Sequence, residues 1–143
     1  MIRRDLEREL IVRVFQASNK LQMFIDRSLK DSELTAKQFY FMIFLGTFKE
    51  APTVSDLSKI IGTSRQNVKQ LAVKLETNGY IRIEKDGKDQ RVTRMYFTEK
   101  SRSFWDDRND NDDRDIKELY ERFSDSDLST TLDVLTKLLD VIG

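Results

Sequence analysis

The 143-residue sequence predicts a mainly α protein with one small β-hairpin, and three observations predict it. Apolar residues recur at helical spacing through both ends of the chain. Two short helices separated by a single glycine occupy the middle. Two alternating runs, YIRIE and VTRMYFT, flank the charged stretch KDGKDQR, Lys85 to Arg91, as strands flank a turn.

The first helix is expected from about Arg3 to Leu29. Leu6, Leu10, Val14, Leu21, Ile25 and Leu29 form its stripe, widened by Ile11, Phe15 and Phe24. A helix of this length needs a long partner. The second begins at LTAKQF, where Thr35 and Gln38 make a capping box. Phe39 to Leu45 is apolar at every position, so a helix buried on all sides is expected. Pro52-Thr53-Val54-Ser55-Asp56 opens the third, with Thr53 as cap and Asp56 as its acidic partner. Leu57, Ile60 and Ile61 face inward there, and Gly62 ends the helix. Thr63 or Ser64 caps the fourth, which runs to about Asn78 and stops at Gly79. Its inward stripe is Val68, Leu71, Ala72 and Leu75. Small Ser58 lets the third and fourth helices approach closely.

Asp86-Gly87 is a tight-turn signal within KDGKDQR, the charged tip expected between the two strands. Thr98 then caps a fifth helix that passes through DDRNDNDDRD to about Phe123. That Asp-rich segment, 106–115, lacks the alternating ligands, central Gly and terminal Glu of a calcium loop, and is expected to be a solvated, weakened helix turn. Ser124 or Ser126 starts a last helix whose stripe is Leu128, Leu132, Leu135, Leu138, Leu139 and Ile142. The two amphipathic ends are best explained by packing on each other and on a second copy. The chain therefore divides into an N-terminal dimerisation helix (1–33), a winged helix-turn-helix region (34–98) and C-terminal dimerisation helices (99–143).

Composition excludes several classes of function. There is no Cys and no His, so zinc or iron sites built from those ligands, Cys–His and Ser–His catalysis, and thiolate redox sensing are all ruled out. No phosphate-cradling glycine loop and no recognisable carboxylate pair is present, so no enzyme, cofactor or metal is expected. No apolar run is long enough for a bilayer, and MIRRDLEREL is too charged for a signal peptide. A cytoplasmic protein without a membrane partner is expected. Net charge is zero, but its distribution is uneven. Residues 53–103 carry eleven basic and six acidic residues, whereas residues 104–143 carry five basic and twelve acidic. A basic middle inside a neutral chain suits a polyanionic partner.

The outward face of the fourth helix sharpens that suggestion. Ser64, Arg65, Gln66, Asn67, Lys69, Gln70 and Lys74 point away from the apolar stripe, and no acidic residue occurs from Ser64 to Leu75. Arginine can fork onto guanine, while Asn and Gln can pair with adenine. Solvation alone would use Glu as readily as Lys or Gln. A hairpin directly after such a helix is a wing, and Lys88 and Arg91 at its tip would reach the neighbouring backbone or minor groove of double-stranded DNA. Asp89 is expected to steady the wing by pinning Arg91 or a neighbouring basic group.

At this point the sequence resembles the MarR family of bacterial transcription regulators. DQRVTRMYFT, Asp89 to Thr98, is similar to the family's Asp-x-Arg wing followed by Leu-Thr, with Phe97 in place of the Leu. LTAKQF, Leu34 to Phe39, is similar to the opening of the family's second helix, and DLSKIIGTSRQNVKQLAVKLETNGYI fits its helix-turn-helix in length and apolar placement. One departure is Ser101, where the family commonly has Gly. The resemblance implies a homodimer joined by its first and last helices, a recognition helix entering each major groove of a pseudo-palindromic operator, and Arg91 in the minor groove. It implies a regulator, expected to repress, and an effector cleft for a small aromatic anion. Phe39, Phe41, Phe104 and Trp105 are the candidate lining residues, although core packing explains the same aromatics without a ligand. The rival reading is a winged-helix protein–protein interaction module without specific DNA binding.

Overall fold

The computed structural model describes residues 1–143 as six helices and one two-stranded antiparallel sheet. In order these are α1 (Arg3–Ser28), α2 (Ala36–Gly46), α3 (Val54–Ile61), α4 (Arg65–Thr77), β1 (Ile81–Lys85), β2 (Thr93–Phe97), α5 (Glu99–Tyr120) and α6 (Asp125–Ile142). The chain divides into two compact units, Met1–Ser101 and Arg102–Gly143.

Helix starts are set by side chains that satisfy otherwise orphaned N–H groups. Thr35 Oγ1 accepts from Gln38 N while Gln38 Oε1 accepts from Thr35 N, and Thr53 with Asp56 repeats the box on α3. These backbone bonds hold the Asp56 carboxyl below its ordinary pKa. Asp26 of α1 adds a long-range cap by accepting from Ala36 N at 2.6 Å. Ser64 rather than Thr63 caps α4, and Ser124 rather than Ser126 caps α6 with Asp127 completing the box. Gly62 ends α3 at φ 77° and lets the chain turn at once into α4.

The core of the first unit is apolar and contributed by every element around the helix-turn-helix. Leu29, Leu34, Phe41, Met42, Leu45, Leu57, Val68, Ala72, Leu75, Ile81 and Met95 are buried. Antiparallel pairing sets Ile81 opposite Phe97 and Ile83 opposite Met95, so these four share the face turned to the core. Gln38 is buried with them because its amide oxygen is committed to the Thr35 box.

Three expectations need correction. α2 is not buried on all sides, because Tyr40 and Ile43 are 43% and 38% exposed. They stand three residues apart on the side of the helix left over once the opposite side packs on α1, α3 and α4. Ile60 is 44% exposed, since α3 has only two turns and Leu57 with Ile61 takes its inward side. The tight turn signalled by Asp86-Gly87 does not form as a glycine turn. Seven residues separate the strands, and Gly87 does not adopt a positive φ.

Nothing in α1 or α6 is buried within the single chain. Leu6, Leu10, Ile11 and Phe15 on α1 are exposed, as are Leu128, Leu132, Leu135, Leu139 and Ile142 on α6. The 106–115 segment is continuous helix, and within it Arg108 pairs with Asp112 at 2.9 Å and lies over the Phe104 ring. No helix is long and apolar enough to cross a membrane.

Candidate nucleic-acid interface

α4 buries Val68, Ala72 and Leu75 against the core and turns its other side to solvent. Ser64, Arg65, Gln66, Asn67, Lys69, Gln70 and Lys74 are all exposed, so one continuous face carries the donors and acceptors expected of it. The first turn is fixed before any ligand arrives. Ser64 Oγ accepts from Asn67 N at 3.1 Å, and Asn67 Nδ2 donates to Thr63 Oγ1 at 3.0 Å. The helix N-terminus and Arg65 together favour an anion, and no acidic residue offsets them in the first turn. Gln66, Lys69, Gln70, Val73 and Lys74 line a shallow open depression along this face. Val73, 56% exposed on this face, is absent from both the inward stripe and the polar face read from the sequence, because one valine among polar residues breaks no pattern.

The far end of α4 is tied to the start of α5. Thr98 Oγ1 donates to Gly79 O at 2.6 Å, and Lys100 Nζ donates to Asn78 O at 2.6 Å while resting over the Tyr80 ring. Ser101 is buried, and its hydroxyl accepts from Thr98 N and donates to Thr98 O. A serine there acts as a cap, which a glycine could not.

The wing loop is organised by Asp86. One carboxylate oxygen accepts from Lys88 N and Asp89 N, and the other accepts from Arg94 Nε at 2.7 Å. The Arg94 guanidinium beside it, then the two loop N–H groups, hold the Asp86 carboxyl down at about 2. Arg94 also donates to Ala51 O at 2.7 Å, across 43 residues of sequence. Beside that bond Met95 N donates to Pro52 O, and Thr53 forms a β-bridge with Arg94. The base of the wing is thus fastened to the start of α3. The sequence marked Asp86 only as part of a turn and gave Arg94 no role, since the carbonyl that fixes the arginine is remote and has no residue signature.

At the tip, Arg91 presents its guanidinium to both oxygens of Asp89, Nε to Oδ1 and Nη2 to Oδ2, each at 3.1 Å. Asp89 Oδ1 accepts from Arg91 N as well. The guanidinium lowers the Asp89 pKa, and the carboxylate raises that of Arg91. The Arg91 side chain is nonetheless 90% exposed, so it is held in one orientation with its outer edge open. Lys88 is exposed on the same loop.

The four aromatic candidates fall in two groups. Phe39 and Phe41 are buried on α2, in the first unit. Phe104 and Trp105 are half-buried on α5 in the second, packed edge to face with centroids 5.4 Å apart. No cluster of acidic residues that could hold a metal ion occurs.

Residues 32–92 match the MarR family model. The chain is 28% identical over 139 residues to the transcriptional activatory protein BadR of Rhodopseudomonas palustris, covering 95% of this chain and 79% of that protein. Its fold is that of a MarR protein from Peptoclostridium difficile, with a TM-score of 0.84 at 20% identity, over 99% of this chain and 92% of the other. It also superposes on Staphylococcus aureus MepR, solved as a DNA complex, with a TM-score of 0.76 at 19% identity over 99% and 98% of the two chains.

Proposed function

From the match of residues 32–92 to the MarR family model, we propose that the chain is a MarR-type transcription regulator that binds double-stranded DNA as a homodimer on a pseudo-palindromic operator. The observation that carries this reading is the exposed, acid-free face of α4 beside a wing whose arginine is oriented and open. Lys69, Lys74 and Lys88 suit phosphates, whereas Arg65, Gln66, Asn67 and Gln70 suit base edges. Arg91 suits the concentrated negative potential of the minor groove.

The exposed stripes of α1 and α6 favour a second copy as their cover, since apolar surface on this scale is not left to water. Two joined recognition helices must then stand about 34–36 Å apart, or a multiple of that, to enter successive major grooves on one side of the duplex. An effector that favours another separation weakens binding by its difference in affinity for the two states. Phe104 and Trp105, half-buried and edge to face on α5, supply apolar and stacking surface for a small aromatic anion. Trp105 is the sole tryptophan, so its fluorescence reports such a ligand directly.

Repression needs only that the dimer occupy promoter DNA, and it is the sign we propose. The likeness to an activatory protein favours activation as the second reading. A reporter carrying the operator either across or upstream of the promoter separates the two. The test of the whole reading is selection of bound duplexes from random DNA with the purified chain. A two-fold-symmetric consensus is expected. Absence of any enrichment overturns the reading and favours a winged-helix module that binds protein.

A further inference from the structure

The polar face of α4 holds one side chain that hydrogen bonding and charge leave unexplained. Val73 is 56% exposed and lines the same depression as Gln66, Lys69, Gln70 and Lys74. At 3.6 residues per turn it falls within about 20° of Gln66 in projection, with Lys69 and Gln70 to either side. It therefore marks the centre line of the face rather than its margin. Isolated apolar residues on a surface are ordinary, so exposure alone means little. The position means more, because a β-branched residue disfavours helix slightly and is more exposed than buried here.

We propose that Val73 is a specificity-determining residue that packs against the 5-methyl group of a thymine in the major groove. This rests on the DNA-binding reading above and adds a base preference to it. Thymine alone among the four bases displays a methyl group in that groove, and apolar contact is how proteins read it. The valine side chain is short and held to one dominant rotamer in a helix. It is thus a rigid probe, unlike the lysines and glutamines around it, and reads whatever base lies beneath the middle of α4. The thymine belongs one helical turn along from the bases or phosphates met by Lys69 and Gln70.

The test uses the full-length chain and a duplex recovered by selection. Each thymine is replaced singly by deoxyuridine, which deletes the methyl group and nothing else. At one position in each half-site the wild-type chain should lose about fourfold in affinity, the factor for burying one methyl-sized group. Val73→Ala, which removes the contact in both half-sites, should bind the thymine duplex about as weakly as wild type binds a duplex with uracil at both symmetric positions, and should ignore the replacement. Because Val73 is exposed, circular dichroism of that variant should match wild type. Restoring the methyl with 5-methylcytosine opposite guanine, at the same position, should return part of the affinity to wild type only. Indifference of the wild-type chain to every uracil replacement overturns the inference, as does a Val73→Ala chain that keeps the wild-type sensitivity. Either result leaves the DNA-binding reading standing, whereas failure to enrich any duplex removes both.

Discussion

Arg91→Ala tests the wing most directly, and its size can be worked from the residues present. The α4 face and the wing tip carry five exposed cations, Arg65, Lys69, Lys74, Lys88 and Arg91. If each cation, on a phosphate or in a groove, displaces one condensed counterion, a dimer displaces about ten, and log K falls with log salt at a slope of about −9. Removing Arg91 deletes two of these contacts, so the slope should become shallower by about 2. Between 50 and 200 mM salt, the variant's affinity should then fall about tenfold less than that of wild type. Affinity at low salt should drop further than the slope implies, because Asp89 loses the guanidinium that now covers both its oxygens and turns a bare carboxylate toward the DNA. Arg91→Ala combined with Asp89→Asn should recover part of that loss while the slope stays shallow. Fluorescence anisotropy on one operator across a salt series measures all three chains. An Arg91→Ala chain that is folded and dimeric, with wild-type affinity and slope, would refute the reasoning.

Three further outcomes follow from other contacts. The folded Asp86 pKa of about 2 lies below its ordinary 3.8, so this carboxylate supports the loop at every pH above about 4 and ceases to as pH falls through 2; an NMR titration of its carboxyl carbon should show the low midpoint, and Arg94→Ala should move it up toward 3.8. Gly62→Ala should cost about 1–2 kcal/mol in urea unfolding, because the left-handed φ is unfavourable for a side chain even though a Cβ there would meet nothing within 4 Å; an unchanged midpoint would mean that the α3–α4 turn relaxes freely. Leu132→Glu with Leu139→Glu, on the exposed stripe of α6, should shift sedimentation from a dimer to the 16.9 kDa chain and abolish operator binding; a dimer that survives would move the subunit interface elsewhere.

The parts that were legible in the sequence are those written locally. Thr35 with Gln38 and Thr53 with Asp56 mark helix starts within four residues of chain, and the glycines at 62 and 79 mark the stops with positive φ. The outward face of α4 was readable because its inward stripe was. What escaped depends on partners far along the chain. Arg94 is positioned by a backbone carbonyl at Ala51, and carbonyls look alike in every residue. The Asp86-Gly87 pair signalled a tight turn, yet the loop is shaped by the carboxylate of Asp86 rather than by the freedom of Gly87. Tyr40 and Ile43 lie in an unbroken apolar run, and such a run does not say which side of the helix lacks a neighbour. Val73 was overlooked for the opposite reason, since one valine among polar residues breaks no pattern.

A hairpin that projects into water ordinarily invites trouble, because each margin offers unpaired amides on which a stray strand can grow. Here the outer margin of β1 is stoppered by Glu76, whose carboxylate accepts from Ile83 N at 2.6 Å. The outer margin of β2 is occupied by Pro52 and Thr53. With fewer open amides on either margin, the wing is a poorer template for edge-to-edge strand pairing.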